Sequence, residues 1–163
     1  EACEKLGRKL IIVGAGQRAK ELQRQSGPGT QWLGNLPDDQ IADLYAGARA
    51  FLFPGTEDFG ITPLEAMASG TPVIAYGAGG ALETVEDGKT GMFFYDQSAE
   101  GLAQAIEKFE TLPTNWEKAC RERAALFSKE RFKMELRGLI NRLLARDTAT
   151  PAVSAQAPMA FYD

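Results

Sequence analysis

Five short apolar runs, most of them followed by glycine or proline, constrain the fold of this chain more than any other feature. The runs are Leu10–Val13, Gln31–Leu33, Ala50–Phe53, Pro72–Ala75 and Met92–Phe94. Apolar, β-branched runs of this length are typical of strands buried on both faces of a parallel sheet. Segments with helical spacing separate the first four runs, and this alternation predicts an α/β, Rossmann-like fold of three layers, with helices covering both faces of the sheet.

Glycine-containing loops follow three of the predicted strands, at residues 14–16, 55–60 and 77–80. In parallel sheets of this kind, ligands bind beyond the carboxyl ends of the strands. We therefore expect these loops to line one edge of the sheet and to contain the functional site.

The composition removes several classes of chemistry. The 163 residues include no histidine and two cysteines, Cys3 and Cys120. Nucleophilic sites that need an imidazole, histidine-ligated metals and a disulfide framework are therefore not expected, and we predict no metal site. A net charge of −4 is poorly suited to binding nucleic acid. No apolar run is long enough to span a membrane.

The segment 54–75 carries the most chemistry. It places a carboxylate in a loop (Glu57), then Gly60, a helix start at Thr62-Pro63, and a second carboxylate (Glu65). Free N–H groups and the helix dipole favour a phosphate at such a start. Carboxylates accept hydrogen bonds from vicinal hydroxyls. A diphosphate flanked by two hydroxyl-bearing groups fits this order, and a nucleotide sugar is such a molecule.

The same segment resembles a known family. Glu57 and Glu65 have seven residues between them, within E-x-F-G-x-x-x-L-E-A-M-A-x-G-x-P-V-I-A. This pattern is similar to the donor-binding half of retaining glycosyltransferases of family 4 type, which have the GT-B fold. The resemblance covers roughly residues 1–110 and includes Val13-Gly14-x-Gly16, Leu33-Gly34 and Gly79-Gly80-x-x-Glu83 in the same order.

The resemblance implies roles for five residues at the sugar and the diphosphate. Glu57 would bind hydroxyls of the transferred sugar. The backbone amides of Phe59, Gly60 and Ile61 would contact the sugar and the distal phosphate. Thr62, at the helix start, would meet the diphosphate.

Further residues would bind the nucleoside. By the same resemblance, Glu65 would accept hydrogen bonds from the ribose hydroxyls. The segment from Gly34 to Leu36 would lie beside the base, and Gly14 and Gly16 would shape the neighbouring loop.

The chain also departs from the family pattern. Residues 1–7 resemble the end of a helix closed by Gly7, so we expect preceding protein. The family's acceptor domain, its first strand and the Arg and Lys that neutralise the diphosphate have no counterpart, and neither Arg8 nor Lys9 takes their place. We therefore expect no turnover by residues 1–163 alone. A gap in the sheet is also expected, with strand edges free to pair with another chain.

For the intact enzyme the resemblance implies transfer of a hexose of mannose or glucose type to a glycan or lipid-linked acceptor, as in polysaccharide biosynthesis. It implies no cofactor beyond the nucleotide-sugar donor. A cytoplasmic location is expected, with association at the inner membrane face as a further possibility. Residues 1–146 are predicted to form the donor domain and residues 147–163 a flexible tail.

Three alternatives remain open from the residues. Thr62-x-x-Glu65 is also a capping-box pattern. Gly14-x-Gly16-x-x-Ala19 fits a dinucleotide fingerprint of the NAD type, although the expected acid after the next strand is absent. The chain could also be a non-catalytic nucleotide-binding module. The charged segment 121–131 is expected to be a solvated helical face.

Overall fold

The computed structural model describes residues 1–112 and 115–149. Its strands are β1 (Leu10–Val13), β2 (Thr30–Gly34), β3 (Phe51–Phe53), β4 (Val73–Tyr76) and β5 (Gly91–Phe94). Its helices are α1 (Ala2–Lys5), α2 (Ala19–Gln25), α3 (Asp38–Gly47), α4 (Ile61–Ala68), α5 (Ala81–Thr84), α6 (Ala99–Glu110), α7 (Glu117–Ala125) and α8 (Lys129–Ala149). The α/β prediction and all five strand positions are confirmed.

The strands form two parallel sheets. The first sheet pairs β1 with β2, and the second has the order β3-β4-β5. Within the described residues no strand joins β1 to β3, which agrees with the expected gap in the sheet. Each of these two strands therefore has one edge without a strand partner.

The hydrophobic core lies around the second sheet. Val73, Ile74 and Ala75 of β4 are at most 1% exposed, and Met67 of α4 and Cys120 of α7 are fully buried. The strand β4 has a partner on each side, and helices pack against its sheet, so its side chains are removed from water on both faces.

The first sheet differs, and here the expectation of a strand buried on both faces is wrong. In β1 the side chains of Ile11 and Val13 are 38% and 37% exposed. The helix that follows, α2, contributes no buried residue. An apolar run predicts a strand, but covering it requires neighbours, and one face of β1 lacks them.

The helices follow the predicted pattern with one addition. Ser98 caps α6, because its Oγ accepts a hydrogen bond from the Gly101 N–H at 3.0 Å. The residues between β4 and β5 were expected to form only a loop, but they contain the one-turn helix α5. Four residues after a glycine pair carry too little periodicity to indicate a helix.

Residues 1–127 form one compact unit and the chain from residue 128 forms a second. In the second unit, the Ser128 Oγ accepts a hydrogen bond from the Arg131 N–H at 3.4 Å, and the large apolar side chains of α8 from Phe132 to Leu144 are exposed. The helix continues to Ala149, three residues past the predicted domain end, and residues 150–163 of the predicted tail lie outside the described residues. The boundary at residue 146 stays a prediction. Across the described part of the chain, no helix has both the length and the apolarity that a membrane crossing requires.

Candidate functional site

The candidate site centres on the start of α4, after the loop 54–60 that follows the carboxyl end of β3. Gly60 precedes the helix with φ of +80°, a left-handed conformation that favours glycine. A Cβ on Gly60 would also lie 3.2 Å from Cζ of Phe53. Glycine is therefore favoured here by conformation, and a side chain would also crowd the Phe53 ring at the point where the loop enters the helix.

This turn leaves a group of backbone donors without partners. In the described part of the chain, no hydrogen bond uses the N–H of Phe59, Gly60, Ile61 or Thr62. The next residue, Pro63, has no N–H. These donors stand at the positive end of the helix dipole, so they can bind an anion such as a phosphate.

Two carboxylates flank these donors. Glu57 lies in the loop before α4, and Glu65 lies one turn inside the helix, and both are exposed. Within the described residues, neither carboxylate forms a hydrogen bond or ion pair. Both are therefore available to accept hydrogen bonds from a ligand's hydroxyls.

The capping-box alternative for Glu65 is wrong. Gly60, rather than Thr62, is the residue at the helix N-cap position, and no side chain caps α4. Glu65 consequently lies too far into the helix to return to the cap residue, as a capping box requires. The carboxylate has no structural role of that kind.

Tyr45 of α3 is a neighbour of Glu65 that the sequence did not indicate. Burial, together with the negative charge of Glu65, raises the pKa of Tyr45 to about 12. A phenol is neutral at pH 7 with or without this shift, so Tyr45 adds no negative charge beside Glu65. The contact between α3 and α4 creates this pair, so no local sequence signal could have revealed it.

The loop carrying Glu57 is packed against the glycine pair after β4. The Gly80 N–H donates to the Glu57 carbonyl oxygen at 2.8 Å. A Cβ on Gly79 would overlap that same oxygen, and one on Gly80 would overlap the backbone of Asp58 and Phe59. The glycine pair thus allows a close backbone approach and does more than turn the chain.

The predicted nucleoside residues form a second group at the end of the first sheet. The N–H of Gly14 donates to the carbonyl oxygen of Gly34 at 2.7 Å, and both glycines have positive φ. Gly16 lies two residues after Gly14, and the half-buried Leu36 lies just before α3. No hydrogen bond in the described residues joins this group to the Glu57–Glu65 group, although α3 packs against α4 between them.

The cations before β1 lie away from this edge. Arg8 precedes the strand, at its amino end, and its guanidinium pairs with Glu110 at 2.7 Å. Among residues 1–112 and 115–149, no cluster of histidine, cysteine or carboxylate side chains could hold a metal ion.

A cavity occurs at the opposite edge of the second sheet. It is lined by residues that include Arg49, which precedes β3, and Pro72, which precedes β4, together with Trp116. The candidate site itself is open, since Phe59 is 43% and Ile61 64% exposed. The candidate site and the cavity therefore lie at opposite ends of the strands. The candidate site is defined by its polar groups without partners in the described residues, and not by a cavity.

One residue of the charged segment 121–131 does not face solvent as expected. The side chain of Arg123 is 21% exposed and donates to the carbonyl oxygens of Glu83 and Thr84. Those two residues end α5, an element that the sequence did not predict. A contact between two helices distant in sequence gives no local signal.

Comparison with known proteins places this arrangement in a family. The sequence pattern described as "Glycosyl transferases group 1" matches residues 1–127. The chain belongs to this family, and its parallel sheets and flanking helices match those of glycosyltransferases with the GT-B fold.

Individual relatives agree with this assignment. The chain is 35% identical over 135 residues to the alpha-1,3/1,6-mannosyltransferase of Homo sapiens, which covers 78% of this chain and 32% of that protein. The chain spans about a third of the length of that relative and less of several others.

Solved structures give the same result. Sucrose-phosphate synthase from Thermosynechococcus elongatus is similar at 31% identity, with a TM-score of 0.73 over 85% of this chain and 39% of that one. Anabaena HepE in complex with UDP-glucose is similar at 27% identity, with a TM-score of 0.65 over 85% of this chain and 41% of that one.

Proposed function

We propose that this chain is the donor-binding part of a retaining glycosyltransferase of family 4 type. The intact enzyme would transfer a hexose of mannose or glucose type from a nucleoside-diphosphate sugar to a glycan or lipid-linked acceptor. The observation that carries this proposal is the group of N–H donors at the start of α4, which, like the carboxylates of Glu57 and Glu65 on either side, have no partner among the described residues.

The chemistry of each group supports a part of the donor. The backbone donors of residues 59–62 would bind the diphosphate and the near side of the sugar. Glu57 would accept hydrogen bonds from the sugar hydroxyls, which makes it the catalytic-site residue of this set. Glu65 would accept hydrogen bonds from the ribose, and its freedom from a capping role is consistent with that.

The nucleoside side of the proposal rests on the group at the end of the first sheet. Gly34 and Leu36 would border the base, while Gly14 and Gly16 would shape the loop beside it. Similarity to HepE, whose structure contains UDP-glucose, supports a donor of this chemical class. No cofactor other than the donor is part of the proposal.

Calorimetric titration with UDP, GDP and ADP, and with their sugar conjugates, tests the donor site. The variant Glu65→Gln keeps the shape of the side chain and removes its charge. Loss of a hydrogen bond to a charged acceptor is expected to weaken binding of the preferred nucleotide by about ten- to a hundredfold. The matched control is Glu122→Gln, an exposed glutamate of α7, which should leave the affinity unchanged.

Two results would contradict the proposal. One is equal weakening by Glu65→Gln and Glu122→Gln. The other is preferential binding of NAD over every nucleoside diphosphate, which would favour the dinucleotide alternative. A chain that binds a nucleotide but shows no transfer with any acceptor agrees with our expectation that residues 1–163 do not turn over alone.

The rest of the active enzyme is part of the same proposal. The leaving diphosphate needs cations. Arg8 does not supply one, because it lies at the amino end of β1 and its guanidinium pairs with Glu110. We propose that an acceptor domain and further residues complete the site, and that the enzyme works in the cytoplasm, where a peripheral position at the inner membrane face would suit a lipid-linked acceptor.

The free edges of β1 and β3 support one more element of the proposal, pairing with another polypeptide strand. A strand edge presents unpaired N–H and C=O groups that favour such pairing. Light scattering after gel filtration should therefore show self-association of the isolated chain that grows with concentration. A strictly monomeric chain at all concentrations would argue against pairing between copies.

A further inference from the structure

A line of contacts connects α7 to the loop that carries Glu57. It begins at Arg123, whose Nε donates to the Thr84 carbonyl oxygen at 3.0 Å and whose Nη2 donates to that of Glu83 at 2.5 Å. Its Nη1 also pairs with Glu86 at 3.1 Å. The guanidinium thus satisfies carbonyl groups at the end of α5, where a helix lacks internal partners.

The same guanidinium contacts an aromatic pair. Its Cζ lies 5.1 Å from the ring centre of Phe127, within the range of a cation–π interaction. The Phe127 ring meets that of Phe59 edge to face, with ring centres 6.0 Å apart and planes at 61°. Arg123 therefore reaches the candidate site through Phe127.

The other end of α5 touches the same loop. This helix begins directly after Gly79 and Gly80, and the Gly80 N–H donates to the Glu57 carbonyl oxygen. There is no room for a side chain on either glycine, because their backbone lies against residues 57–59. The loop is consequently held from two sides, by the start of α5 and by Phe127, and Arg123 contacts both α5 and Phe127.

We propose that Arg123 is a positioning residue for the donor sugar, acting together with Phe127. It holds α5 and Phe59 in a fixed relation, and thereby fixes residues 57–59 so that the Glu57 carboxylate and the Phe59 N–H point toward the transferred sugar. This inference rests on the proposed function. It adds a specific consequence: Arg123 affects recognition of the sugar and leaves recognition of the nucleotide, at Glu65 and Thr62, largely intact.

The experiment compares two arginines of one helix in the full chain. Arg123→Gln removes the contacts to α5 and Phe127. Arg121→Gln is the matched control, because Arg121 also donates to two helix-terminal carbonyl oxygens, those of Ala68 and Ser69, at the far end of α4. Both variants lose hydrogen bonds to helix-terminal carbonyl oxygens. A difference between them in exchange rate or affinity therefore arises from where in the fold those bonds lie.

The first measurement needs no ligand. Amide hydrogen exchange of Gly80, followed by NMR, reports the hydrogen bond between this residue and Glu57. Arg123→Gln should accelerate this exchange, after correction for global stability, by roughly threefold to tenfold, as expected for a local opening. Arg121→Gln should not. Equal exchange in both variants would overturn the inference.

The second measurement separates sugar from nucleotide. Affinities for UDP and UDP-glucose, and for GDP and GDP-mannose, are compared in each variant. Arg123→Gln should reduce the preference for the conjugate over the bare diphosphate by roughly threefold to tenfold, the scale of one lost cation–π contact and its carbonyl bonds. Equal weakening of the conjugate and the bare diphosphate would indicate a merely structural role and overturn the inference.

Two further variants keep the test decisive. Arg123→Lys retains a cation near Phe127 and should change the same ratio less than Arg123→Gln. It takes the place of Arg123→Gln if that variant does not fold. Phe127→Leu retains apolar volume and should change the same ratio in the same direction. If the unaltered chain binds no nucleotide, donor binding by this chain alone fails, while the exchange rates still support or overturn the positioning role.

Discussion

The two sheets of this protein are built from similar strands but differ in how much of them is buried. Ile74, in the second sheet, is 1% exposed, whereas Ile11, in the first, is 38% exposed. Both residues belong to short runs of β-branched and apolar side chains. The difference arises because β4 has a strand on each side and helices against its sheet, while β1 has one strand partner among the described residues and α2 contributes no buried residue.

The two groups of predicted site residues therefore follow strands that differ in how well they are packed. The Glu57–Glu65 group follows a strand of the packed second sheet, and Phe53 below it is 6% exposed. The Gly14–Gly34 group follows the less covered first sheet. We therefore expect the Glu57–Glu65 group to be formed more completely in this chain than the Gly14–Gly34 group.

The largest expected effect contrasts one isoleucine from each sheet. Ile74→Ala should lower the free energy of unfolding by about 2–5 kcal/mol, because a fully buried side chain leaves a cavity. Ile11→Ala should cost about 1 kcal/mol or less, since its side chain already contacts water. Urea unfolding of both variants measures the contrast. Similar losses would mean that the two sheets are equally packed in solution.

A smaller effect contrasts one glycine from each sheet. A Cβ on Gly91 would overlap the carbonyl oxygen of Val73 in the neighbouring strand, so Gly91→Ala should cost about 1–3 kcal/mol through overpacking. Gly14 has open space but φ of +122°, so Gly14→Ala should cost about 1 kcal/mol through backbone strain. Thermal unfolding compares the stability of the two variants. A larger loss of stability for Gly14→Ala would mean that backbone strain at Gly14 outweighs the overlap at Gly91.

The smallest effect concerns pH and the ion pair at the base of the first sheet. The hydrogen bond from Arg8, just before β1, is the main cause that lowers the pKa of Glu110 on α6. A carboxylate with a lowered pKa in the folded state contributes stability above its unfolded pKa and loses that stability as the pH falls through the folded value. Arg8→Gln should therefore reduce stability at pH 7 and leave it nearly unchanged at strongly acidic pH.

Urea midpoints across the acidic range check this prediction. The control is Arg18→Gln, which removes an exposed pair within α2 and the preceding turn and does not join separate elements. A loss that stays constant between neutral and strongly acidic pH would show that Arg8 acts by packing and not through the charge of Glu110.

Much of the site could be predicted from the sequence because its signals are local. Gly60, the carboxylates Glu57 and Glu65 and the helix start lie within nine residues of one another, and their order alone indicates a helix terminus preceded by a loop. The exact start of α4 was less predictable, since Thr62-x-x-Glu65 also satisfies a capping pattern. In the structure, Gly60 with its positive φ is the N-cap residue, which decides between a helix start at Gly60 and one at Thr62. The sequence alone does not determine that φ.

Other features depend on contacts between distant residues. The sequence indicates neither that Tyr45 lies beside Glu65, nor that Arg123 connects α5 with Phe127. Tyr45 and Glu65 lie on different helices, as do Arg123 and the end of α5, so both contacts depend on how those helices pack. Local periodicity carries no information on such packing beyond which face is apolar.

By itself, the amino-acid sequence determined the strands, the order of strands and helices, and the segment that carries the site chemistry, because strand periodicity, glycine and proline act over a few residues. Only the folded structure shows which apolar strand is buried, which backbone donors have no partner among the described residues and that Arg123 contacts both α5 and Phe127. Burial and hydrogen-bond satisfaction depend on the neighbours in space, and those neighbours are brought together only when the chain folds.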